Sequence, residues 1–157
     1  MARRGIEYTN IEEDLVALFE RLQAEMPRGA ASLAVQHLPP NGVVVKLSPR
    51  NPASASVWAH AENGRALVDF GFGAYGPTWE LPIEGDNPAA NKDELMREVE
   101  EMCRAVMAGS CQHKRGFLSV TGSVQVRDRP YKITDLLQFR PKPPLHGTRV
   151  YQPYISS

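Results

Sequence analysis

The chain has 157 residues, 42% of them hydrophobic and 23% charged, with 18 basic side chains balancing 18 acidic ones. That length suits one domain able to bury about 68–70% of its unfolded surface, and the composition excludes wholesale disorder. No run approaches the ~20 apolar residues of a bilayer span. Two cysteines are too few for a disulfide scaffold, and no apolar stretch follows the positive start "MARRGIEYTN", so a cytoplasmic location is expected.

In chain order, "TNIEEDLVALFERLQAEMP" reads as a helix. Thr9 or Asn10 caps it, Glu12, Glu13 and Asp14 favour its positive end, and Ile11, Leu15, Leu18, Phe19 and Leu22 fall on one face. "SLAVQHLPPNGVVVKLSP" reads as a hairpin turned at Pro40-Asn41-Gly42, and "SASVWAHAENGRALVDFGFG" as a second turned at Asn63-Gly64. On its return strand Ala66, Val68, Phe70 and Phe72 alternate against Arg65, Leu67 and Asp69. "PTWELPI" predicts a further strand near an edge, since Pro82 cannot donate to a ladder.

"NPAANKDELMREVEEMCRAVMAG" predicts a second helix, capped by Asn91 with Glu94 three residues on. Leu95, Val99, Met102, Cys103, Val106 and Met107 form its apolar stripe, and Gly109 closes it. "RGFLSVTGSVQVR" reads as a third hairpin turned at Thr121-Gly122. "KITDLLQF" fits a short helix or a strand equally. "RPKPPLHGTRVYQPYISS" is Pro-rich and expected to be irregular. The order of elements predicts an α+β fold, an antiparallel sheet built of hairpins with two amphipathic helices packed on one face. The domain is placed at residues 1–139, with a C-terminal tail from 140 to 157.

Two signatures overlap in "DFGFGAYGPTWELP". Asp69-Phe70-Gly71 spells a kinase metal-binding triplet, and Gly71 to Gly76 spells GxGxxG. A dinucleotide loop must open a helix, yet Pro77 and Pro82 bracket the segment after the glycines. A kinase glycine loop should precede a strand bearing a phosphate-pairing lysine, and the next lysine is Lys92, beyond Pro82 and Pro88. The motif is therefore read as a glycine-rich turn beside aromatics. Cys103, Cys111 and His113 match no structural zinc spacing. Asp69, Glu80 and Glu84 are the nearest approach to an acid/base set, and surface strands carry such acids routinely. No catalytic residue, metal ligand or cofactor is assigned.

The charges are unevenly divided. Up to Glu101 there are 9 Lys/Arg against 16 Asp/Glu; from Met102 onward there are 9 against 2. The basic third carries Lys114, Arg115, Arg127, Arg129, Lys132, Arg140, Lys142 and Arg149. It would serve internal pairing with the acidic helices, an acidic protein partner, or a polyanion. Tyr75 and Trp79 flank a Gly/Pro turn where aromatics make contact anchors, and a core role fits Trp79 equally well. The candidate partner contacts are thus Tyr75, Trp79, Arg115, Arg127, Arg129 and Lys132.

The run "VDFGFGAYGPTWELPIEGD" through "ELMREVEEMCRAVMAGSCQ" resembles small α+β bacterial immunity or accessory proteins that bind secreted toxins. The likeness spans about a quarter of the chain, and no functional residue carries over. It implies a non-catalytic protein that works by binding another protein, and abundant arginine and alanine fit a GC-rich bacterial genome. Two alternatives stand beside it. One is a small-ligand binder or small enzyme with a pocket between sheet and helices, marked by Asp69, Glu80 or His60. The other is nucleic-acid binding through the basic third.

Overall fold

A computed structural model describes residues 10–63, 65, 67–73, 78–83, 88–116, 119–136 and 147–155. Helix α1 (Ile11–Ala24) leads into five antiparallel strands: β1 (Ala31–Leu38), β2 (Gly42–Pro49), β3 (Val57–Glu62), β4 (Leu67–Phe72) and β5 (Trp79–Pro82). Helix α2 (Pro88–Met107) follows, and then β6 (Cys111–Arg115), β7 (Ser119–Val126), β8 (Arg129–Leu136) and β9 (Gly147–Val150). The expected α+β fold of antiparallel hairpins is present, but the strands form two sheets. One is a five-stranded meander in chain order, and the other has the order β8-β7-β6-β9.

Helix α1 buries Ile11, Leu15, Leu18, Phe19 and Leu22, the face its periodicity predicts. At ~1.5–3 kcal/mol per large side chain, that face contributes on the order of 10 kcal/mol gross, enough to dock the helix. It lies across β1, β2 and β3, against the alternate positions Val43, Val45, Leu47, Val57, Ala59 and Ala61. Capping differs from expectation. Asn10 occupies the N-cap in a left-handed conformation with no side-chain cap bond, and Asn63 Oδ1, from the β3–β4 loop, accepts the Glu12 N–H at 3.3 Å.

Helix α2 starts at Pro88, so Asn91 lies within the first turn and is not the cap. Proline suits a first helical position, because its missing N–H has no partner there anyway. Leu95, Val99, Met102, Cys103 and Val106 are buried as expected, with Met107 partly so. Gly109 takes φ +79° beyond the helix, and Ser110 N–H donates to Ala105 C=O at 2.8 Å.

The expected turn at Thr121-Gly122 is wrong. Both residues lie inside β7, where Thr121 pairs with Lys114 and Gly122 with His113. A Cβ on Gly122 would sit 3.1 Å from Trp79 Cη2 and 3.4 Å from His113 Cδ2, so this glycine makes room for the sheets to meet, not for the chain to turn. "KITDLLQF" resolves as strand through Leu136, with Arg127 at φ +53° in the β7–β8 turn.

Much of the tail is built into the fold. Strand β9 pairs with β6, and Tyr151 and Tyr154 are each only 6% exposed. Tyr154 O–H donates to Ala55 C=O at 2.6 Å, and Tyr154 N–H donates to Met107 C=O at 2.8 Å. Tyr154→Phe should therefore cost about 1–2 kcal/mol in urea unfolding; an unchanged midpoint would mean that the phenol does not anchor the tail.

Candidate functional site

The inner faces of the two sheets meet in an aromatic cluster. The Phe72 ring is parallel to the His113 imidazole at a centroid distance of 4.3 Å and stacks on Trp79 at 5.8 Å. Tyr151 stands edge-on to Phe72 and shares a 2.7 Å hydrogen bond with His113 Nδ1. Burial, then the Arg149 charge, lowers His113 to about 4. Cys111 is pushed up to about 12 by burial, and Cys103 is raised further by burial first and by Glu100 second. Both thiols are buried and stay protonated at neutral pH, which makes them core residues. Among the described residues no group of three metal-ligating side chains gathers.

The outer face of the five-stranded sheet is different. Strand alternation sends Val44 and Lys46, Trp58, His60 and Glu62, Leu67, Asp69 and Gly71, and Glu80 and Pro82 away from both helices. Trp58 is directly opposite Gly71, and a Cβ on Gly71 would lie 2.4 Å from the indole. The absent side chain lets the ring lie flat across the neighbouring strand. The second glycine of "DFGFG" closes the strand, and the first seats a tryptophan.

Beside it, His60 Nδ1–H donates to Asp69 Oδ2 at 3.0 Å, since an ionised carboxylate can only accept. His60 Nε2 stands 3.4 Å from Glu62 Oε1, outside hydrogen-bond geometry, and Asp69 is the cross-strand neighbour of Glu80. His60 and Asp69 are held between a strand pair with their side chains 18% and 19% exposed. They sit on the outer face of the sheet and not between the sheet and the helices. The imidazole faces a carboxylate on each side, Asp69 at Nδ1 and Glu62 at Nε2.

The basic residues separate onto several surfaces. Arg127 and Arg129 turn toward α2, lining an open groove of about 400 Å³ with Glu94, Glu98, Glu101 and Tyr131. There Arg127 lies 3.9 Å from Glu101, and Arg129 lies over the Tyr131 ring at 5.4 Å. Lys132 and Lys114 project from the opposite face of the four-stranded sheet, beside the Thr121–Thr134 hydroxyl pair. Arg115 is half-buried, with its Nε unpartnered. Elsewhere the charge split is joined by Arg104, which meets Glu25 at 2.8 Å and Glu100 at 3.4 Å.

Of the expected contacts, then, Arg127 and Arg129 share one groove while Lys132 and Arg115 lie apart. Trp79 is 7% exposed and packed on Phe70 and Phe72, so it is a core residue and not a surface anchor. Tyr75 lies outside the described residues, as do Gly76, Pro77, Glu84, Arg140 and Lys142. The chain leaves the glycine-rich stretch into strand β5, antiparallel to β4, and not into the helix a dinucleotide loop requires. Sequence reasoning overlooks Trp58. The alternation that puts Val57 and Ala59 in the core already sends Trp58 the other way.

No protein-family model, curated protein or solved structure matches this chain.

Proposed function

We propose that this protein is a non-catalytic protein-binding module that meets its partner with the outer face of the five-stranded sheet. The observation that carries this is Trp58. It is a half-buried indole on a central strand, seated over Gly71 and opposite Lys46, on a face that also carries Asp69, Glu62 and Glu80. An aromatic held by a strand loses little side-chain freedom on contact, and tryptophan is the residue type most enriched at energetic centres of interfaces. The face carries three carboxylates against Lys46, with Arg65 3.9 Å from Glu62 at its margin, and the acidic excess favours a partner with a basic patch. An immunity or accessory role toward a secreted toxin is one form such binding takes.

Affinity capture from the native host with wild-type protein and face variants tests this. Trp58→Ala should weaken retention of the partner by about 30-fold or more, the loss of a hot spot of about 2 kcal/mol. Glu80→Lys, at an exposed position, should also weaken it without touching the core. Arg127→Ala with Arg129→Ala should leave it intact. Binding that follows the arginine pair and ignores Trp58 would place the contact at α2, and absence of any partner at micromolar concentration would end the proposal.

A further inference from the structure

Strand β1 is an edge of the five-stranded sheet. Its eight residues, ASLAVQHL, contain no Lys, Arg, Asp, Glu or Pro, and it pairs with β2 without a bulge from Ala31 to Leu38. Edges are ordinarily blunted by charge, proline or a bulge. Ala34, Val35, Gln36 and His37 are exposed in succession, Val35 by 38%.

The direction of each backbone group follows from one bond. Arg50 N–H donates to Ala30 C=O at 2.9 Å, in the register that pairs Ala31 with Pro49. Antiparallel alternation then sends the N–H and C=O of Ser32, Ala34, Gln36 and Leu38 to β2, and those of Ala31, Leu33, Val35 and His37 outward. Two outward positions are already limited. The Ala31 carbonyl accepts Gln23 Nε2–H at 3.2 Å, and the residue after the strand, Pro39, has no N–H. Among the described residues, the outward donors and acceptors of Leu33, Val35 and His37 have no partner and can meet another strand.

We propose that a second copy of this chain occupies this edge, pairing antiparallel with β1 about a two-fold axis at Val35. Only that register maps Leu33, Val35 and His37 onto themselves: Val35 faces its own symmetry mate and Leu33 faces His37, each pair exchanging two hydrogen bonds. The same register puts Ala31 opposite Pro39, where the Ala31 carbonyl would find no donor. That is the carbonyl Gln23 satisfies within the monomer. On the outer surface Ala34 meets Gln36 and Ser32 meets Leu38, small against large, with no like charges opposed. The axis keeps both α1 helices on one side and joins two five-stranded sheets into a continuous one. This contact is separate from the outer-face surface around Trp58.

Sedimentation equilibrium of the full chain should give twice the 17.4 kDa chain mass in the high-micromolar range. Val35→Pro removes an outward N–H without touching the β2 ladder and should weaken dimerisation at least tenfold. Val35→Cys should form a disulfide-linked dimer under mild oxidation, because hydrogen-bonded antiparallel partners lie ~5.5 Å apart at Cα, within disulfide reach. Cys103 and Cys111 are buried and do not compete. A monomer at every concentration overturns the proposal, even if the edge captures a foreign strand. So does a dimer that persists in Val35→Pro while Val35→Cys fails to cross-link.

Discussion

Replacing Phe72 with alanine should cost about 3–5 kcal/mol, at the upper end for a single core truncation. The ring is 1% exposed and is the piece both sheets share: it stacks on Trp79 from β5 and His113 from β6, and meets Tyr151 edge-on beyond β9. Its removal deletes transfer energy and leaves a void that rigid aromatic neighbours on two sheets cannot close. Chemical denaturation with near-UV circular dichroism measures both effects, and the aromatic signal should collapse along with the midpoint. A loss below about 1 kcal/mol, the scale of an ordinary partly exposed site, would mean that the sheets are not joined through this ring.

Acidification should destabilise the protein through His113. Its ordinary value of 6.5 is lowered to about 4 by burial, with the Arg149 charge adding to the effect. Above pH 6.5 the imidazole is neutral in both folded and unfolded chains, and the fold has its full stability. As pH falls below that point the unfolded chain takes up a proton that the buried ring refuses, so stability drops until about pH 4 and then levels. The whole interval corresponds to about 3 kcal/mol. Urea unfolding of wild type and His113→Gln, at about pH 7.5 and about pH 4.5, isolates the contribution, because the carboxylates titrate in both proteins. Wild type should lose about 2 kcal/mol more than the variant between the two conditions; equal losses would show that the ring is free to protonate in the folded state.

How far this protein is legible from its residues depends on the range of the force involved. The α1 face from Ile11 to Leu22, the α2 stripe from Leu95 to Val106 and the Gly109 terminus follow from periodicity and local backbone preference, and each appears where the pattern puts it. The alternation of Val68, Phe70 and Phe72 into the core is likewise local. Helix starts are less legible. Asn10 has the right chemistry for a cap, but the bond at that end comes from Asn63.

What the chain by itself determined was its α+β class, its first two antiparallel hairpins and the core-facing side of each helix, because these depend on residues within a few positions of one another. Tertiary structure alone decided that there are two sheets, that Gly122 is a contact between them and not a turn, and that Trp58 rests on Gly71. It also turned Arg127 toward Glu101 and recruited Tyr151 and Tyr154 from a tail that reads as irregular. Each of these joins residues far apart in the chain, and a glycine in sequence shows only that a side chain is missing, while the neighbour that fills its place is supplied by another strand.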